Sequence, residues 1–155
     1  MRKLNSVWFM GFSVVLGLLA TLMMVVPLFK AGGTVYNCNN AFFDSGSGLL
    51  GYKGAWPSFI GFMLIVVTTI AVFIISLPVV NISFKTEKIV LIGGSVLEVI
   101  GLILIMLITV FWNGFNGWNY DMGNGINLYV GSYLAAGFSL LAVCCNVIAY
   151  RYDKE

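Results

Sequence analysis

The sequence contains no histidine, and only 9% of its 155 residues are charged. The missing histidine removes the usual physiological-pH acid–base group and the commonest metal ligand. Three cysteines, Cys38, Cys144 and Cys145, do not make a zinc-type cluster. There is neither a glycine-rich phosphate loop nor a nucleophile elbow. A water-soluble domain carries roughly a quarter charged residues. The scarcity of charge here, with 60% hydrophobic residues and a mean hydropathy of +0.98, excludes that class. A net charge of +2 with dispersed basic residues leaves no footprint for nucleic acid.

What is present is four long apolar stretches, at about 6–29, 56–80, 88–112 and 128–150. Each is near the ~20 residues that a helix needs to cross the hydrocarbon core. The expected fold is an all-α membrane protein, a four-helix up-down-up-down transmembrane bundle filling residues 1–155 as one domain. Two short outer loops, about 31–55 and 113–127, and an inner turn at about 81–87 connect the helices. The Met1-Arg2-Lys3 start and the first apolar run lack an Ala-x-Ala cleavage pattern, so the run reads as a retained helix.

With both termini inside, Arg2, Lys3, Lys85, Lys88, Arg151 and Lys154 share the inner side and only Lys30 and Lys53 lie outside. That asymmetry fits the positive-inside bias and predicts a multi-pass plasma-membrane protein with cytoplasmic N- and C-termini. Trp8, Phe29, Trp56, Phe84, Trp112, Trp118, Tyr129 and Tyr150 mark the expected interfaces. Pro27, Pro57 and Pro78 fall near helix ends, where a missing N–H costs little.

Glu98 is the one charged residue far from a predicted helix end. At ~1.5 Å per residue it lies about 15 Å from Lys88, close to the midplane. An acidic residue there costs ~2.5–3.5 kcal/mol on insertion scales, so it is expected to face protein or water. Gly94, Ser95 and Gly101 share its face. The same depth count places Gly17, Thr68, Thr69 and Ser139 within about one turn of its level. Glu98, Thr68, Thr69 and Ser139 are therefore the candidate proton- or cation-binding residues. The structural alternative is a neutral Glu98 donating one hydrogen bond and fixing helix register.

Cys38 has no outer partner for an intrachain disulfide, and Cys144 and Cys145 lie near the inner end of helix four, where they read as small packing residues. A thiol oxidoreductase is disfavoured, because exchange chemistry needs paired accessible thiols. No acid–base pair or metal set is visible, so neither enzymatic activity nor a cofactor is expected. Gly11, Gly17, Gly94, Gly101, Gly131 and Gly137 are candidate positions for close helix approach, within the bundle or between copies. The leading expectation is a non-enzymatic scaffold or accessory subunit that associates laterally in the lipid bilayer, as a homo-oligomer or in a larger membrane complex. The alternative is a small oligomeric proton- or cation-coupled transporter using Glu98.

Lys88-Ile-Val, Gly93-Gly94, Gly101 and Trp112, followed by Tyr120-Asp-Met-Gly and a glycine-bearing fourth helix, resemble the claudin-like four-transmembrane superfamily. Pro27-Leu-Phe-Lys30 stands where that family often has a Pro-x-Trp-Arg ending. The first loop departs from the family: it is about half as long, has one Cys, and reads Gly48-Leu49-Leu50 in place of Gly-Leu-Trp. That departure weighs against the family's outer-loop sheet, its disulfide and a paracellular barrier role. The layout is also similar to small uncharacterised bacterial four-span membrane proteins, with a Pro-ended first helix and a short basic inner turn. The stretch that corresponds to their Gly-x-x-Tyr-Leu fourth helix is Gly131-Ser-Tyr133-Leu134 here, with one residue fewer between Gly and Tyr. This second resemblance is the preferred one.

Overall fold

The computed structural model describes residues 4–31, 33–44, 53–77, 79–80, 82–116 and 125–152. Its elements are α1 (Leu4–Leu22, continued by a 3-10 turn, Met23–Val25), β1 (Phe29–Ala31), β2 (Thr34–Tyr36), α2 (Cys38–Phe42), α3 (Trp56–Ser76), α4 (Phe84–Met106), α5 (Ile108–Asn116), β3 (Asn127–Leu128) and α6 (Val130–Tyr152). Four helices, Ser6–Val25, Trp56–Ser76, Phe84–Met106 and Val130–Tyr152, are long and apolar enough to cross a membrane. The molecule is an all-α four-helix bundle.

The four helices form a ring: α1 packs on α3 and α6, and α4 packs on the same two, with the diagonal pairs further apart among the described residues. Burial recurs every three or four residues along each helix, as a helical face requires. On α6 the inward stripe is Gly131, Ser132, Ala135, Ser139, Ala142, Asn146 and Ala149, whereas Tyr133, Leu134, Leu140, Leu141 and Val147 face outward. On this helix the large apolar side chains face outward and small or polar ones meet protein. This suits a bundle whose helices gain nothing by hiding leucine from hydrocarbon.

Helix ends follow local chemistry. Val26 and Leu77 precede proline and are extended (ψ 150° and 131°), as the clash with a following proline ring demands. The first helix therefore stops short of the expected residue 29, and the second short of 80. Ser83 caps α4, accepting a hydrogen bond from Thr86 N at 3.3 Å, so that helix starts at Phe84 rather than at Lys88. A single irregular residue, Leu107, separates α4 from α5. The fourth helix opens at Val130 because Leu128 is taken by a strand.

The loops carry more order than two plain connections. β1 is the centre of a three-stranded antiparallel sheet, order β2-β1-β3, with Phe29 paired to Tyr36 and to Leu128. Gly33 (φ 85°) supplies the left-handed backbone of the β1–β2 turn. Beneath the sheet Phe29 stacks on Tyr36 at 4.9 Å, and Trp112 leans on both at 4.9 and 4.7 Å. Phe42 of α2 meets Phe59 and Phe62 of α3, each at 5.7 Å. Asn116 accepts from Lys53 N (2.7 Å) and donates to Lys53 O (2.9 Å), tying α5 to the first loop.

The backbones of α3 and α4 approach each other closely at a pair of glycines. A methyl added to Gly61 would lie 2.6 Å from Gly101 O, and one added to Gly101 would lie 2.6 Å from Gly61 O. Ser58 Oγ bonds Leu104 O at 2.8 Å beside this contact. Gly101→Ala is expected to lower stability by about 1–3 kcal/mol through overpacking. Gly137→Ala, which meets nothing within 4 Å, should leave stability unchanged or raise it by up to about 1 kcal/mol. Thermal unfolding followed by circular dichroism in one detergent distinguishes the two.

Candidate functional site

Two apolar clusters fill the bundle. One contains Ala20, Phe62, Ile65, Ile105 and Ala135 at the loop end. The other contains Met10, Val72, Ile75, Leu91 and Ala149 at the opposite end. Between them in sequence on every helix lie small and polar buried residues: Ser13 and Gly17 on α1, Thr68 and Thr69 on α3, Gly94, Ser95, Glu98 and Gly101 on α4, and Ser139, Ala142 and Asn146 on α6. All four helices thus contribute to a central polar layer, and it contains Glu98, 1% exposed.

Glu98 is held from across the α4–α6 interface, where Asn146 Nδ2 donates to its Oε2 at 3.3 Å. Depth counted along the backbone does not find this partner, because it compares Cα levels. Each side chain tilts toward the N-terminus of its own helix. On antiparallel helices those tilts converge, so Glu98 reaches a residue about two turns beyond Ser139. The available signal was the solitary amide in an otherwise apolar stretch of α6, on Ser139's face at i+7. Gly61 was likewise not among the expected packing positions, although it faces Gly101 directly.

The remaining candidates separate into neighbours and bystanders. Thr68 lies against Gly94, one turn from Glu98, with Oγ1 3.5 Å from Gly94 O and Cγ2 in the space a Gly94 methyl would need. Thr69 sits instead on the α1 side, against Gly17, and its hydroxyl bonds Ile65 O of its own helix at 2.8 Å. Ser95 bonds Leu91 O at 2.7 Å. Ser139 is fully buried and its Oγ has no hydrogen-bond partner; the same is true of Glu98 Oε1 and Asn146 Oδ1. Gly131 fits against Pro27 O, while Gly11 and Gly137 are exposed with nothing within 4 Å.

Chemically, the layer offers one carboxyl, one carboxamide and several hydroxyls. Among the described residues there is no group of three or more His, Cys, Asp or Glu that could hold a metal ion. The paired residues offer Glu98 Oε1 and Asn146 Oδ1 as oxygen donors for a proton or a small cation, with Ser139 Oγ about two turns away from Asn146 along α6. Cys144 is an exposed free thiol of α6 and Cys145 a half-buried one. The Cys38 side chain, Trp118, Tyr120 and Asp121 lie outside the described residues. Phe115 stacks on Trp56 at 6.2 Å.

The fold and this layer define an integral membrane protein with four spanning helices. No family model, curated protein or solved structure matches the chain.

Asn146→Ala is expected to cost about 1–3 kcal/mol, the penalty for leaving a buried polar group without its partner. Thr69→Val, which removes only a bond within one helix, should cost less than ~1 kcal/mol. Unfolding midpoints in mixed micelles measure both.

Proposed function

We propose that the protein is a non-enzymatic, laterally associating membrane protein, a scaffold or accessory subunit whose rigid bundle is its working part. The observation that carries this reading is the closure of the central layer. Apolar clusters flank it on both sides, Gly17 against Thr69 closes the α1–α3 seam, and Gly94 against Thr68 with Gly61 against Gly101 closes the α3–α4 seam. Glu98 and Asn146 then act as a register pin between α4 and α6. Association uses the outer faces, which are almost wholly apolar and carry shallow notches at Gly11 and Gly137. The end bearing Lys85, Lys88 and Arg151 is assigned to the cytoplasm of a plasma-membrane protein by the positive-inside rule.

One observation favours a second reading, a proton- or cation-coupled transporter. Glu98 Oε1, Asn146 Oδ1 and Ser139 Oγ are buried oxygens without partners, and buried polar groups are normally satisfied. A proton or small cation shared by Glu98 and its neighbour Asn146 would satisfy the first two.

Native mass spectrometry of protein released from a mild detergent is expected to show a dimer, a higher oligomer or a co-purifying membrane partner. A strictly monomeric mass at high protein concentration contradicts lateral association. The roles of Glu98 separate in its variants. A structural pin predicts that Glu98→Gln keeps near-normal stability and that Glu98→Ala loses about 1–3 kcal/mol. A pH-dependent cation flux into vesicles that vanishes in well-folded Glu98→Gln transfers the assignment to transport.

A further inference from the structure

At the end of the bundle opposite the sheet, a lipid-facing groove of about 430 Å³ runs along α4 beside α6, lined by Lys85, Lys88, Ile89, Ile92, Gly93 and Tyr150. Two properties distinguish it from the rest of the apolar surface. Its mouth is cationic, and its Lys88 is held in place: Nζ lies 3.8 Å from the centre of the Phe84 ring and 5.5 Å from that of Tyr150. Further along α4, Gly93 is exposed and a methyl there would meet nothing within 4 Å. A glycine inside a helix weakens it, and the side-chain space at this one is not filled by protein.

We infer that this groove is a binding site for one anionic phospholipid, its phosphate on Lys85 and Lys88 and an acyl chain lying over Ile89, Ile92 and Gly93. The distances fit the bilayer. Lysines at a helix end reach the headgroup level, and Gly93 lies about 12 Å further along the helix, within the hydrocarbon region. Charge complementarity selects the occupant. A zwitterionic lipid leaves the lysine pair uncompensated, and a second copy docked symmetrically here would bring Lys85 and Lys88 against their own counterparts. Arg151, exposed at the same end of α6, adds to the positive field. The inference does not depend on the role of Glu98 or on the scaffold reading.

The test is native mass spectrometry of the delipidated full chain titrated with dioleoyl phosphatidylglycerol or dioleoyl phosphatidylcholine. The protein is expected to retain phosphatidylglycerol in preference to phosphatidylcholine. Lys85→Gln with Lys88→Gln should remove that preference, a loss of roughly thirty-fold in phosphatidylglycerol binding. Gly93→Leu, which fills the groove and leaves the charge alone, should weaken phosphatidylglycerol binding while the circular dichroism melting midpoint stays within a few degrees of wild type. Equal binding of the two lipids by the wild-type chain overturns the site. So does a preference that survives in the Lys85→Gln, Lys88→Gln variant, or a Gly93→Leu variant that changes the oligomer distribution but not lipid retention.

Discussion

A hydrocarbon solvent accepts leucine and rejects every unpaired polar group, and the arrangement of this bundle follows from that constraint. Hydrophobic burial cannot order the helices, because lipid is as apolar as their side chains. Order comes from the groups that lipid rejects and from the places where backbones can touch. Each spanning helix accordingly turns several small or polar residues inward, among them Ser13, Gly17, Thr68, Gly94, Glu98, Ser139 and Asn146. The α6 stripe from Gly131 to Ala149 contains no large apolar residue. The middle of this bundle is where small and polar residues meet, between two apolar clusters.

The two ends of the bundle are closed differently. At one end the loops supply a small sheet over an aromatic cluster, and β1 joins both loops through its pairings with Tyr36 and Leu128. Ser132 Oγ bonds Leu28 O at 2.8 Å there, tying the start of α6 to the exit of α1. At the other end, Phe9 of α1 stacks on Tyr152 of α6 at 5.6 Å and an apolar cluster seals the interior. The polar layer between them is the only place where a carboxyl sits deep within a spanning helix among the described residues. A bundle fixed at both ends holds that carboxyl against one partner, which is what a register pin requires.

The helices were legible because hydropathy and length are properties of continuous segments. Their ends were legible only in part. Pro27 and Pro78 were visible as punctuation, but the residues before them leave the helix as well, so α1 and α3 end earlier than hydropathy alone indicates. The sheet was not legible: its strands are two or three residues long and exist because Phe29 meets Leu128, nearly a hundred residues away. Glu98 stood out as a lone charge in an apolar run. Asn146 did not, because a neutral amide carries no charge signal and its partnership depends on side-chain tilt across two antiparallel helices. Gly61 and Gly101 illustrate the same limit, since their pairing is a fact of interhelical register that neither residue announces alone.

The central claim is that Glu98 and Asn146 act on each other to fix α4 against α6. A double-mutant cycle tests it most directly, with Glu98→Ala, Asn146→Ala and the double variant unfolded in the same lipid–detergent mixture. The account predicts a coupling of about 0.6–1.7 kcal/mol, the range found for polar contacts between membrane helices. The double variant would then be less destabilised than the sum of the two single variants. Strict additivity, with each substitution costing the same whether or not the other is present, would contradict it.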